Sequence, residues 1–313
     1  MADGTTVEQA TATLADAGIG DGLPVVPPTE ARLAAMLAGT PDPDAALGPV
    51  PPLFRELTPA AAAYHAVLAG CRPAELPVVL AALLACLEPE FNLLGVQTTT
   101  GTAAVAVVVR GPVVDELGMT TGANLLGPGN RANACVGRAV ALGLAGIGGA
   151  RPGETDMATT GQPGRYGMCL PVPGSTGTGS AVTVLAVGGT AEVLPRDGGA
   201  GADEILGPLA DALAGAALAA GEPARMAGCE QAVVLPPEVA GRLDALGARD
   251  VRDALFERGN AVLGARGLPD ARVAASPDAL HVLVTGGAGI KMLHLPGWIG
   301  GSRAVTRPLP PGG

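Results

Sequence analysis

The sequence predicts an α/β protein in which N-terminal helices lead into a mixed sheet, followed by a smaller C-terminal α/β unit. Three observations carry this reading. Threonine caps and glycine stops punctuate residues 1–87, β-branched runs begin after Gly95, and the last third alternates strand and helix patterns before Gly286-Gly-Ala-Gly289. The 313 residues divide accordingly into a helical, proline-rich segment (1–57), a main α/β domain (58–195) and a C-terminal α/β domain (196–313).

Thr6 caps a first helix ending at Gly18, and Thr29 caps a second ending at Gly39, with an extended Leu23-Pro-Val-Val-Pro-Pro28 between them. Thr58 and Pro59 open a third helix that stops at Gly70, because proline lacks only an N–H that the first turn leaves free anyway. Arg72-Pro73 starts a fourth through about Leu87, which puts Cys71 at or next to a helix N-terminus. Val96 to Thr100 and Ala103 to Arg110 have the β-branched content of strands, the second apolar on both faces. A long helix from Arg131 to about Ile147 is rich in Ala and Gly, so its neighbours must approach closely. After a polar loop, 148–165, come strands near Tyr166 to Leu170 and Ala181 to Val187. Residues 194–203 form a junction. A helix (Glu204 to Ala220), a strand (Ala232 to Leu235), helices (Pro237 to Leu246 and Arg249 to Arg258) and a strand (Leu280 to Thr285) complete the order.

Composition narrows function. The chain is 48% hydrophobic, 15% charged and 2% aromatic, with mean hydropathy +0.38, which is enough apolar surface for a folded core despite 48 Gly and 29 Pro. A net charge of −10 argues against a nucleic-acid partner, since displacing phosphate counterions needs a basic face. No N-terminal leader pattern is visible, and the apolar run Leu76 to Leu87 is too short to span a bilayer, so the expectation is a cytoplasmic protein without membrane contact. It is also expected to be a homo-oligomer. The five cysteines lack any C-x-x-C spacing and the three histidines lie far apart, so neither a disulfide framework nor a metal site is expected. No Rossmann or Walker fingerprint accompanies the glycine loops, and no cofactor is expected.

Cys71 is the first candidate nucleophile, because a helix N-terminus and Arg72 would both favour thiolate; the alternative is a small buried hydrophobe. Cys169, at a strand end beside the polar loop, is the second. Gly127-Pro-Gly129-Asn130-Arg131 could gather backbone N–H groups around a carboxylate or phosphate at a helix start, with Asn124, Asn130 and Asn133 orienting a carbonyl; a plain tight turn is the alternative. The 148–165 loop carries Glu154 and Asp156 as acid-base candidates and Arg165 as a binding residue, and loops of this length are uncommon unless they function. Gln97-Thr-Thr-Thr100 could present polar groups to the same region, an ordinary strand being the alternative. Lys291 is the only lysine among 19 basic residues, and a surviving primary amine suggests tunable acid-base or Schiff-base chemistry.

Several of these segments together resemble an uncharacterised bacterial family associated with small proteins carrying a U/C-G-S-C motif. The resemblance rests on Ala69-Gly-Cys-Arg-Pro73 with Leu76-Pro-Val-Val79, Gly95-Val-Gln97, Leu126-Gly-Pro-Gly-Asn-Arg-Ala-Asn133, Gly148-Gly-Ala-Arg-Pro-Gly-Glu154 and Gly161-Gln-Pro-Gly164. It covers about residues 20–170 strongly and continues weakly through Gly286-Gly-Ala-Gly289 and Gly301-Ser-Arg-Ala-Val-Thr-Arg-Pro308. Cys71, Asn130, Arg131, Asn133, Glu154, Asp156 and Cys169 match the family's pattern. The chain departs from it at Leu94, near Gly101 and at Val239, where relatives have histidine, and at Pro171-Val-Pro173, where they have acidic residues. The resemblance implies a diverged member and, as a possible partner, a small thiol or selenol protein.

The resulting expectation is a cofactor-independent enzyme acting on a small carbonyl or carboxylate metabolite as a lyase, isomerase, cyclase or acyl/sulfur-transfer enzyme, in specialised metabolism. The alternative is a non-catalytic ligand-binding or partner subunit of a thiol-protein system.

Overall fold

The threonine caps organise the first third of the chain. In the computed structural model, which describes residues 1–174, 179–245 and 250–310, Thr6 caps α1 (Val7–Asp16) in a reciprocal box with Gln9, and Thr29 caps α2 (Glu30–Leu37). A hairpin of β1 (Gly48–Val50) and β2 (Arg55–Leu57) follows. Thr58 caps α3 (Pro59–Ala69), with Pro59 at its first position and Gly70 closing it at φ 86°. One 3₁₀ turn, Pro73–Glu75, leads into α4 (Leu76–Cys86), which is buried over most of its surface.

The expected strand at Val96 to Thr100 is instead helical, as α5 (Leu93–Thr98). Asn92 sits at φ 53° and its side chain accepts the Gly95 N–H, while the Thr98 hydroxyl donates back to the Leu94 carbonyl. Leu93, Val96 and Gln97 are thereby buried at helical spacing. Tertiary burial and a local cap override the strand preference of Val and Thr.

The rest of the chain runs β3 (Ala104–Arg110), α6 (Val113–Glu116), α7 (Arg131–Gly148), β4 (Met168–Val172), β5 (Ala181–Val187), β6 (Ala191–Val193), α8 (Ala202–Ala219), β7 (Gln231–Leu235), α9 (Pro237–Ala245), α10 (Val251–Ala265), β8 (Leu280–Val284), β9 (Met292–Leu295) and β10 (Val305–Pro308). The strand expected to start near Tyr166 starts at Met168, because Pro163–Tyr166 is a 3₁₀ turn. The expected helix limits at Leu246 and Arg249 lie outside the described residues.

Two mixed four-stranded sheets result, with orders β10-β5-β3-β4 and β6-β9-β7-β8. They share one topology. In each, the first strand pairs in parallel with the second through a helical crossover and antiparallel with the third. The edge strands are exchanged: β6 leaves the first unit to pair with β9, and β10 returns from the second to pair with β5. The expected boundary at residue 195 falls just after β6, which lies in the second sheet. At the crossing, Gly188 N–H donates to the Pro296 carbonyl (2.7 Å) and Trp298 N–H to the Ala186 carbonyl (3.0 Å).

Period-two alternation produces the layers. Ala104, Ala106 and Val108 of β3 join Leu170, Leu185, Ala232, Val234, Leu283 and Leu295 in a core between the two sheets. Val107 and Val109 face the other way, into the core made with α3, α4 and α7. Val233 and Leu235 of β7 turn toward α8 and α10. The architecture is therefore helix, sheet, sheet, helix. Among the described residues no single helix is long and apolar enough to cross a membrane.

The second helical core contains a buried polar chain. His294 Nε2 donates to Gln231 Oε1 at 2.7 Å, and Gln231 Nε2 donates to the Val273 and Leu213 carbonyls. Burial pushes the His294 imidazole down to about 4, and burial also lowers His65. The unfolded chain therefore binds more protons than the folded one between about pH 4 and 6.5. Stability is fully present above about pH 6.5 and falls on acidification toward pH 4, by about 3 kcal/mol from His294. Urea unfolding at several pH values checks this; an equal slope in His294→Gln would assign it elsewhere.

Candidate functional site

The parallel pairing of β3 with β4 demands a long crossover, and its return forms a cleft. After α7 stops at Gly149, the chain turns on the Arg151 carbonyl, which accepts the N–H groups of Glu154, Thr155 and Asp156. The Thr155 hydroxyl donates to the Gly149 carbonyl at 2.7 Å. The loop then runs past the start of β3 and is tied there by Arg165, which donates to the Ala103 carbonyl (3.3 Å), and by Gln162, which donates to the Val187 carbonyl (3.3 Å).

Between this loop, α5, the start of β3 and the middle of α7 lies a cleft of about 640 Å³. Its lining combines apolar Val96, Ala103, Leu142 and Leu144 with polar Gln97, Asp156, Thr160, Gln162, Arg165 and Tyr166, and Gly20 and Asp21 reach it from the N-terminal segment. Asp156 is buried, pairs with the Arg165 guanidinium and also accepts the Ala158 N–H at 3.1 Å. Gln97 is buried and held by Nε2, which donates to the Leu144 carbonyl at 2.8 Å. Arg138 grips Asp21 through two hydrogen bonds of 2.7 and 2.8 Å, and these hold the Asp21 carboxyl below its usual range against the opposing effect of burial.

Of the sequence candidates, Gln97, Asp156 and Arg165 thus meet on one cleft; the others do not line it. Cys71 lies between two helix ends: its N–H donates to the Ala66 carbonyl at the carboxyl end of α3, and the next residue, Arg72, caps the 3₁₀ turn that leads into α4, so the expected helix N-terminus is next to it but an opposing helix end is there too. Burial, with the adjacent Glu75 carboxylate, pushes its thiol far up. Cys169 projects from β4 into the helical core, where burial does the same. Glu154 is exposed on the loop's outer turn. Lys291 is two-thirds exposed, with Nζ 3.6 Å from Glu192 on a different face of the fold.

The turn before α7 takes its plainer reading. Asn130 donates to the Asn124 carbonyl and Asn124 to the Pro128 carbonyl, while Gly129 adopts φ 97° to close the bend. Asn133 is buried and staples the preceding loop through the Thr120 N–H, the Thr120 carbonyl and the Leu125 carbonyl. Arg131 turns away from the bend to pair with buried Glu75 and to donate to the Gly70 carbonyl. These polar groups are satisfied within the fold.

Asp21, Thr160 and Tyr166 were missed as cleft residues. Only the unusual length of the polar loop pointed to Thr160, Tyr166 was read as the start of a strand, and nothing local links Asp21 to a helix more than a hundred residues away. Cys135 of α7 is half-buried. Among the described residues no group of three or more His, Cys, Asp or Glu is arranged to hold a metal ion. No protein-family model and no curated protein matches the chain.

Proposed function

We propose that the chain binds a small carbonyl or carboxylate compound in the 640 Å³ cleft and transforms it by acid-base chemistry, as a lyase, isomerase or cyclase that needs no cofactor. The observation that carries this reading is the Asp156–Arg165 pair on the cleft wall beside the Gln97 amide. A ligand carboxylate competes with Asp156 for the planar guanidinium fork. Once the fork turns to the ligand, Asp156 remains a buried carboxylate with less positive charge beside it, which makes it a stronger proton acceptor. The proton then moves from the carbon next to the ligand carbonyl to Asp156.

The test is calorimetry and turnover assays with small mono- and dicarboxylates, with and without a 2-oxo group. Arg165→Met should weaken binding at least about tenfold, since a charged hydrogen bond contributes about 1.5–3 kcal/mol. Arg165→Lys should recover part of it, and Asp156→Asn should keep binding but lose turnover. Equal binding by wild type and Arg165→Met would remove the proposal.

Among the described residues no cysteine lines the cleft, which favours a second reading, a ligand-binding subunit without chemistry. It predicts binding without turnover in every variant and in the wild type. Kinship with the U/C-G-S-C-associated family belongs to this proposal, and a small thiol or selenol protein is the partner it implies.

A further inference from the structure

A second chemical cluster lies outside the cleft, where the end of α3 meets the first turns of α7. It contains Cys71, Glu75, Arg131, Cys135 and Arg138. Cys135 Sγ lies 3.5 Å from the position a side chain at Gly70 would begin. Gly70 directly precedes Cys71, so their Cα atoms are about 3.8 Å apart. Arg131 spans the same contact, donating to the Gly70 carbonyl at 3.3 Å and pairing with Glu75. Disulfides join residues whose Cα atoms are about 4.4–6.8 Å apart, a separation this contact permits.

The geometry points to Cys135 and Cys71 as a thiol–disulfide exchange pair whose substrate is a small disulfide. The two thiols have different surroundings. Cys135 lies four residues after Arg131 and three before Arg138, on one face of α7, so both guanidiniums stand beside its thiol. Burial raises the Cys135 thiol above its ordinary value and the Glu75 carboxylate adds to this, while the two guanidiniums pull it back toward thiolate, a pull that Cys71 feels less. Cys71 lies beside the Glu75 carboxylate and stays protonated until that carboxylate takes the proton. Both residues are partly exposed, whereas Cys86, Cys169 and Cys229 are buried.

Cys135 loses its proton and attacks one sulfur of the disulfide RSSR. The S–S bond breaks, one RS⁻ leaves and takes up a proton, and Cys135 carries SR. The Cys71 thiol passes its proton to Glu75 and attacks Cys135 Sγ. The second RS⁻ leaves and is protonated in turn, and a Cys71–Cys135 disulfide remains. Two protein thiols are oxidised and one RSSR is reduced to two RSH. Nothing in this step depends on the cleft.

The experiment exposes the reduced full chain to oxidised glutathione, counts free thiols after denaturation and maps the peptides. The expected result is a fall from five free thiols by two, with one crosslinked peptide pair joining residues 71 and 135. Cys71→Ser should stop at glutathione attached to Cys135, and Cys135→Ser should lose no thiol over the same time. Retention of every wild-type thiol, a crosslink between other cysteines or between chains, or unchanged thiol loss in Cys135→Ser would overturn the assignment.

Discussion

Arg131→Met is expected to lower the unfolding free energy by about 2 kcal/mol, below the ~3–5 kcal/mol found when one partner of a fully buried ion pair is removed, because the Arg131 side chain is 38% exposed. Glu75 is only 1% exposed, and its carboxylate is held by the Arg72 N–H and the Arg131 guanidinium. Without Arg131 the carboxylate keeps one backbone partner in a site that water barely enters. The desolvation cost then stands uncompensated, which sets this pair apart from exposed ones. Arg196 pairs with Asp211 while both side chains are at least half exposed, and Arg196→Met should change stability by less than about 1 kcal/mol. The double variant Glu75→Met with Arg131→Met should recover most of the loss, because removing both charges removes the cost as well. Urea unfolding of the four proteins measures this, and equal losses from Arg131→Met and Arg196→Met would show that Glu75 is not the reason.

Glycine to alanine should act with opposite signs at two helical positions. At Gly137 in α7, a Cβ would stand 2.8 Å from the Met168 N and 3.0 Å from the Met168 carbonyl carbon. Those are backbone atoms of β4, whose pairing with β3 holds them in place. Overpacking of this kind costs about 3 kcal/mol, whereas the helix preference of Ala returns about 1 kcal/mol, so Gly137→Ala should lose about 2 kcal/mol. At Gly215 in α8, the same Cβ meets nothing within 4 Å and the residue is exposed, so only the helix preference acts. Gly215→Ala should gain about 1 kcal/mol. Thermal unfolding of both variants suffices, and a shift of the same sign in the two would show that backbone approach does not limit α7.

The close approach of α7 to its neighbours was legible in its Ala and Gly content, and Gly137 shows where that content is required. The caps at Thr6, Thr29 and Thr58 were legible for a similar reason: each satisfies N–H groups within three residues, so the sequence contains the whole interaction. Val96 to Thr98 misled because their β-branched side chains speak for a strand only in isolation. The cap at Asn92 and the buried face of α5 decide otherwise.

The candidate site divides along the same line. The length of the 148–165 loop pointed to Asp156 and Arg165, because a loop that long needs a reason to stay ordered. For Cys71 the helix that starts after it was legible, but the burial and the Glu75 carboxylate that push its thiol up come only with folding. Arg131 failed because a basic residue at a helix start suits a ligand anion equally well, and Glu75 reaches it only through folding.

By itself the sequence determined the α/β class, the helix starts capped by Thr6, Thr29 and Thr58, and the strands whose alternation or apolar length encodes burial, since each depends on contacts a few residues apart. Only the tertiary structure decided that the two sheets share a topology and exchange β6 and β10, that Gln97 meets Arg165 on one cleft, and that Cys135 faces the turn holding Cys71. Those outcomes depend on partners tens to more than a hundred residues distant, whose pairing is set by which faces bury together and leaves no local pattern to read.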